Sequence, residues 1–268
     1  SFYIRSLINE FNLKPKFYCV GPAKTIFNHS TNIDLDEFID SCDEILTGTS
    51  WKYDIEKIAI KLSIEKNKNS YSVIDHLTNY KQRFKFKEDF FLPKNLILFD
   101  DKSFAKASII FQENDIKIFK TKYNYFLKDF KNEIKPGIKY TNRILYIDEP
   151  IKEHYEAILK KRKYYDEFSG LEYFLKKLKD SRFKEYFIDI KLHPSSPSKK
   201  YFALKHQNVK TLKKEIKLEE ILSRYKIIVG YSSMALHIAE NLNSNCKVYC
   251  IIPKHIDKKE NIFGLKSF

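Results

Sequence analysis

The chain of 268 residues is long enough for one large domain or two compact ones. Hydrophobic residues at 43%, with 15% aromatics, exclude a globally disordered chain. The formal net charge of +14 arises from 49 Lys and Arg against 35 Asp and Glu, and the only arginines are Arg5, Arg83, Arg143, Arg162, Arg182 and Arg224. Bidentate reading of bases and phosphates favours Arg. The charge therefore implies an anionic partner without selecting among nucleic acid, membrane headgroups and a sugar nucleotide. Four cysteines, Cys19, Cys42, Cys246 and Cys250, are too few for a disulfide scaffold. Cys246 and Cys250 flank a strand-like KVY segment, and no nearby His completes a zinc site. They read as buried, reduced thiols of a cytoplasmic protein. No run of 18 apolar residues and no signal-peptide pattern occurs.

Along the chain, short apolar runs alternate with longer amphipathic stretches. Phe17–Val20 reads as a first strand running into a Gly21-Pro22-Ala23-Lys24 turn that opens a helix. Glu44–Thr47 reads as a strand ending at Gly48-Thr49-Ser50. Tyr53–Glu65 carries apolar residues at 55, 58, 59, 60 and 62, a helical stripe with Lys and Glu opposite. Strands are expected at Tyr71–Ile74, ending at Asp75-His76, at Leu96–Phe99, ending at Asp100-Asp101, and at Ile116–Phe119, with a helix through Ala107. Residues 120–142 lack a clean period, contain Pro136-Gly137, and read as a linker or crossover.

The pattern then restarts. Arg143–Ile147 is a strand ending at Asp148-Glu149-Pro150, Tyr155–Lys163 and Ser169–Lys179 are helices, and Tyr186–Leu192 is a strand ending at His193-Pro194. Leu218–Tyr225 is a helix, Lys226–Val229 a strand ending at Gly230-Tyr231-Ser232-Ser233, Met234–Leu242 a helix, and Lys247–Ile252 a strand. Strand, turn and helix in short units signal parallel sheets. The expected architecture is α/β: two Rossmann-like domains facing a cleft, residues 1–140 and 141–268.

In parallel α/β sheets ligands bind beyond the carboxyl ends of the strands. Gly21, Thr49, Ser50, Asp75, His76 and Asp101 hold those places in the first half, and Glu149, His193, Ser232 and Ser233 in the second. These ten would line one cleft if the halves face each other. Ser232-Ser233 follows a strand and a Gly turn and opens a helix, which suits an anion; a serine there is also an ordinary helix cap. His193 is biased to extended backbone by Pro194 and reads equally as a loop histidine. Asp75 is a carboxylate at a strand mouth, or a helix cap.

Lys191-Leu192-His193-Pro194, followed by Gly230-Tyr231-Ser232-Ser233, resembles the HP and SS motifs of bacterial glycosyltransferases that use CMP-activated acidic sugars. Cys19–Ala23, Thr47–Trp51, Ile74–Phe84 and the stretch from Leu92-Pro93 to Asp101 resemble the amino-terminal half of the retaining β-Kdo transferase group. The resemblance implies a GT-B-like fold, for which this chain is short. It also implies transfer of Kdo or a sialate-like sugar from a CMP donor to a glycan or glycolipid acceptor, in lipopolysaccharide or capsule synthesis. Lys191, His193, Pro194, Gly230, Ser232 and Ser233 would hold the nucleotide and its phosphate, joined by Gly21, Ser50 and Arg83. Asp75, Glu149 and Asp101, in that order, are the candidate base or nucleophile, with His76 beside Asp75. Arg83 would pair with the donor carboxylate or form a surface ion pair. No metal or cofactor is expected, since helix dipole and hydroxyls can stabilise a leaving phosphate. Nucleic acid is not an expected partner. The location would be cytoplasmic, with contact to an anionic inner membrane face through the Lys-rich helices. The alternatives are a nucleotide-sugar epimerase on the same fold, a basic nucleic-acid-binding protein, and an inactive partner subunit on the same scaffold.

Overall fold

The computed structural model describes residues 2–21, 23–29, 31–50, 53–122, 124–152, 165–204, 206–231, 233–242, 246–253 and 264–268. The chain forms two compact α/β units, Ser1–Asp129 and Phe130–Phe268.

The first unit is built on a four-stranded parallel sheet. Its strands are β1 (Glu44–Thr47), β2 (Asn69–Val73), β5 (Asn95–Leu98) and β6 (Lys117–Lys120), in that spatial order. A small antiparallel pair, β3 (Lys85–Phe86) and β4 (Asp89–Phe90), lies between β2 and β5 in sequence. The helices are α1 (Phe2–Glu10), α2 (Ala23–Phe27), α3 (Leu35–Asp40), α4 (Ile55–Glu65), α5 (Asp101–Ile110) and α6 (Tyr125–Glu133). Leu96, Leu98, Ile60, Ile74, Tyr80, Phe84, Ala107 and Phe111 form a core, and Leu35, Ile39, Ile45 and Ala59 form a second cluster.

β2 (NSYSV) is polar for a buried strand. Its buried hydroxyls are satisfied, Ser72 against Thr47 Oγ1 at 2.7 Å and Ser70 accepting the Lys94 N–H at 3.2 Å.

Two expectations for this half change, and one helix was not foreseen. Phe17–Val20 is not a strand: Thr31 Oγ1 accepts the Cys19 N–H at 3.1 Å and donates to the Phe17 carbonyl at 3.1 Å, so one side chain stands in for a neighbouring strand. The expected linker contains α6, whose Tyr125 and Phe126 pack on Phe11 and Tyr3 with ring centroids 5.6 and 4.5 Å apart. Its start is capped by Asn124, whose Oδ1 accepts the Leu127 N–H at 3.1 Å. α1 went unpredicted because its buried face is short: Tyr3, Ser6 and Leu7.

The second unit holds a six-stranded parallel sheet in the order β12-β11-β10-β7-β8-β9. Here β7 is Arg143–Ile147, β8 Phe187–Lys191, β9 Val209–Thr211, β10 Ile227–Gly230, β11 Lys247–Cys250 and β12 Lys266–Ser267. α7 (Glu167–Lys179), α8 (Leu218–Ile221) and α9 (Met234–Leu242) complete the described helices. The expected helix at Tyr155–Lys163 lies outside the described residues. Ile144, Tyr146, Ile188, Ile190, Ile227 and Val229 interleave with Leu171, Phe174, Leu175 and Leu178 of α7 to make the core.

From β7 the chain proceeds through β8 and β9 on one side, then returns to place β10, β11 and β12 on the other. Strand order therefore reverses between β7 and β10. Their carboxyl ends meet at Ile147 and Gly230, which are register partners. A Cβ at Gly230 would sit 3.0 Å from the Ile147 carbonyl oxygen, so a larger residue would crowd the strand ends here.

Candidate functional site

In the first unit the residues after β1 and β2 converge on Arg83. The chain after β2 runs through Asp75, His76 and Thr78, turns at Asn79 with φ +62°, and enters a 3-10 turn at Lys81–Phe84. That turn folds Arg83 back under the strand mouths, where it is buried. Its Nη1 donates to the Thr49 carbonyl at 2.7 Å and to Asp75 Oδ1 at 3.3 Å, and its Nε donates to the Thr78 carbonyl at 3.1 Å. Burial lowers the guanidinium pKa, and the Asp75 charge opposes that shift. Arg83 is thus no surface ion pair. Asp75 stays partly open to solvent. The His76 ring shares its Nδ1 with Thr78 Oγ1 at 2.9 Å.

Sequence reasoning missed Glu56. Its side chain reaches the Gly48-Thr49-Ser50 loop and accepts the Ser50 N–H. Burial raises its pKa, while N–H groups of Ser50 and Gly48 act the other way. An acidic residue in the first turn of a helix just after a strand-end loop is a usable signal for such a contact. Ser50 Oγ accepts the Tyr53 N–H at 3.4 Å. Gly21 has φ +54° and lies against the Tyr53 ring. Asp100 caps α5, accepting the Ser103 N–H at 2.8 Å. Asp101 is exposed in the first turn of α5 and pairs with Lys120.

In the second unit, Glu149 follows β7 and Gly230 ends β10, so both stand at the strand-order reversal. Burial, then the Glu149 charge, pushes the Cys250 thiol up to about 12. Ser233 is buried and caps α9, its Oγ accepting the Ala235 N–H at 3.2 Å. Ser232, like Pro22 and Trp51 of the other motifs, lies outside the described residues. The Lys191 ammonium is turned inward, donating to the carbonyls of Leu192 at 3.1 Å and Lys214 at 3.4 Å, and burial lowers its pKa.

His193 and the exposed Pro194 follow β8. The His193 Nδ1 accepts the Ser195 backbone N–H at 3.1 Å. The neutral ring therefore carries its hydrogen on Nε2, which makes His193 a donor there.

One buried, multiply bonded residue beside the site was not singled out from sequence. Asp148, beside Glu149, is buried at 1% exposure and receives the Tyr201 hydroxyl, the Ser196 hydroxyl and the His193 N–H. Lys200 bridges it to Glu167 of α7. The signal was available: Asp148 is the first polar residue after Ile144–Ile147. Its partners sit in the SSPSKKY run, which composition alone reads as a solvated loop.

No protein-family model and no curated protein matches the chain. Solved structures do. A Neisseria meningitidis UDP-GlcNAc 2-epimerase bound to UDP-GlcNAc matches with TM-score 0.53 and 15% identity, over 98% of this chain and 76% of that one. A Listeria monocytogenes protein provisionally described as a UDP-N-acetylglucosamine 2-epimerase matches with TM-score 0.56 and 13% identity, over 98% and 73%. The MnaA protein of S. aureus, solved with UDP, matches with TM-score 0.51 and 11% identity, over 93% and 69%.

These matches overturn the resemblance to CMP-sugar-dependent Kdo and sialic acid transferases, and with it the CMP donor, the glycan acceptor and the assignment to lipopolysaccharide or capsule synthesis. The physical reason lies in the motifs. HP and SS mark positions after parallel strands that any fold of this kind provides, and neither pair specifies a base. The chain has the α/β, parallel-sheet, GT-B-like two-domain architecture of these neighbours, and no helix among its described residues is long and apolar enough to cross a membrane.

Proposed function

We propose that this chain is a nucleotide-sugar epimerase acting on a UDP-activated sugar, with its second unit holding the nucleoside diphosphate. The observation that carries the reading is the strand-order reversal between β7 and β10. In parallel α/β sheets the crevice at such a reversal is where nucleotides bind. Gly230 keeps it open to close backbone approach, the α9 amino terminus follows it, and Glu149 stands at its other edge. Neighbours of the same fold are described with UDP and with UDP-GlcNAc, which supports a uridine nucleotide over a cytidine one.

Inverting a carbon that bears hydrogen requires a proton to leave one face and return to the other, work for two acid–base groups. In the second unit the candidate is Glu149, at the strand-order reversal; within the first unit, taken by itself, it is Asp75, followed by Asp101 and His76. His193 acts as a donor to the nucleotide through Nε2. Arg83 supports Asp75 instead of meeting the nucleotide. The reading includes no resident metal or cofactor, the proton transfers being assigned to side chains. The free thiols of Cys19, Cys42, Cys246 and Cys250 support a reducing, cytoplasmic location.

The test is incubation with UDP-GlcNAc in deuterated water, followed by proton NMR. Appearance of the C2 epimer, with deuterium at C2 of substrate and product, is expected. Absence of both exchange and epimer overturns the reading. Calorimetric titration with UDP, against CMP as comparator, checks the nucleotide assignment separately.

A further inference from the structure

Four donors in the stretch 193–201 close on one carboxylate from a different strand. The Tyr201 hydroxyl lies 2.6 Å from Asp148 Oδ1, the Ser196 hydroxyl 2.7 Å and the His193 N–H 3.2 Å from Oδ2, and Lys200 Nζ 3.2 Å from Oδ1. Lys200 also lies 2.6 Å from Glu167 Oε1, and Glu167 Oε2 accepts the Lys152 N–H at 2.9 Å. The side chains of Lys200, Asp148 and Glu167 are at most 2% exposed. Around this anchor the loop is cross-braced: Ser196 N–H donates to the His193 carbonyl at 3.0 Å, and Lys214 Nζ donates to the Ser196 carbonyl at 2.8 Å.

Burying an ion pair with a second carboxylate is a poor way to gain stability, since apolar side chains of similar volume do as well or better. What the arrangement does supply is one fixed loop path, because each oxygen accepts in a set direction. That path ends at His193, whose own N–H is one of the ligands of Asp148.

We propose that Asp148 is a positioning residue for nucleotide binding: by holding the His193 N–H and the Ser196 hydroxyl it fixes Ser195 between them, whose N–H and Oγ lie 3.1 and 2.8 Å from His193 Nδ1, and so sets the imidazole with Nε2–H toward the nucleotide. The proposal rests on the reading that the second unit binds UDP, and adds a residue with no ligand contact of its own.

The experiment compares the full chain with Asp148→Asn, Ser196→Ala and His193→Ala, and with the two double variants that contain His193→Ala. Calorimetry measures UDP affinity, and nitrogen NMR of His193 reads its tautomer. If the unaltered chain fails to bind UDP, the functional reading falls, while the His193 tautomer in Ser196→Ala still tests the positioning. With UDP bound, Asp148→Asn and Ser196→Ala are expected to weaken it by about tenfold or more, and by less than about twofold once His193 is Ala. Both variants are also expected to lose the pure Nε2–H tautomer. Equal weakening with and without His193 would make Asp148 merely structural and overturn the proposal. So would a folded Ser196→Ala protein with unchanged affinity and tautomer. Ser196→Ala removes one donor only, so it decides the matter if Asp148→Asn does not fold.

Discussion

The hydroxyl of Tyr201 donates to Asp148 at 2.6 Å, and both side chains are buried. The pair spans two strand-end loops, and the tyrosine ring also packs against Phe168 with centroids 5.4 Å apart. Tyr201→Phe keeps that packing and removes only the donor. It is expected to cost about 1–3 kcal/mol, because a buried carboxylate loses a partner it cannot replace with water. Urea unfolding measures this, with an unchanged slope showing that the denatured state is unaffected. A cost near zero would mean that Ser196, Lys200 and the His193 N–H satisfy Asp148 without the tyrosine.

Alkaline pH should act on the same region. Burial raises the phenol pKa of Tyr146, Tyr165, Tyr201 and Tyr225, with Asp148 adding to the shift at Tyr201. Burial likewise pushes the Cys246 thiol up to about 11 and Cys250 up to about 12. Each folded-state value lies above the unfolded one, so these groups contribute stability that is complete below the unfolded pKa and lost as pH rises through the folded one. The loss begins near pH 9 for the thiols, whose ordinary value is 9.0, and later for the phenols. Part of the tyrosinate absorbance should therefore be withheld and then appear together with loss of near-UV circular dichroism. Full ionisation with the fold intact would contradict this.

Asp75 and Arg83 should separate activity from stability. Asp75 is 40% exposed, and Arg83 retains the Thr49 and Thr78 carbonyls without it. Asp75→Asn keeps an oxygen acceptor for the 3.3 Å contact from Arg83 Nη1, so it should change stability by about 1 kcal/mol or less, and it should lower epimerisation at least about 100-fold, the scale of a lost acid–base group. Arg83→Lys keeps the charge but loses the fork, and should cost roughly 2–4 kcal/mol. Thermal unfolding alongside the deuterium-exchange assay reads both. A destabilised Asp75→Asn with normal turnover would reverse the two roles.

Two glycines test close approach. An alanine Cβ at Gly230 meets the Ile147 carbonyl of the neighbouring strand at 3.0 Å and Leu236 Cδ1 of α9 at 3.2 Å. Gly230→Ala should cost about 1–3 kcal/mol and weaken UDP binding. At Gly48 the obstacle is the end of the Glu56 side chain, which can swing away. Gly48→Ala should cost less, and its first effect should be loss of the Glu56 contact to the Ser50 N–H, read as a shift in the Glu56 titration by NMR. Equal costs at the two glycines would sink this distinction.

Much of the fold was legible in local pattern. The runs LILF, RILYI and KIIV mark strands because strands buried on both faces are mostly apolar, EILT marks the edge strand β1 with Glu44 exposed, and β1, β5, β7 and β10 fall on or within one residue of these runs. His193, Glu149 and Ser233 could be placed after strands for the same reason. Phe17–Val20 failed because apolar character does not say what receives the backbone hydrogen bonds; Thr31 does so here. The anchor at Asp148 stayed hidden because its partners, at 196, 200 and 201, are polar residues whose burial depends on a contact some fifty positions away.

By itself the sequence determined the alternation of strand and helix, the parallel α/β class and the positions where polar residues follow strands, since these depend on periodicity within ten or so neighbours. Only the tertiary structure decided the order of the strands. That order puts β10 beside β7, turns Gly230 and Glu149 into neighbours of one reversal, folds Arg83 beneath Asp75, and separates the buried Asp148 from the adjacent Glu149. Such facts come from long-range pairing and desolvation, and a local pattern carries no information about which distant segment will supply the partner.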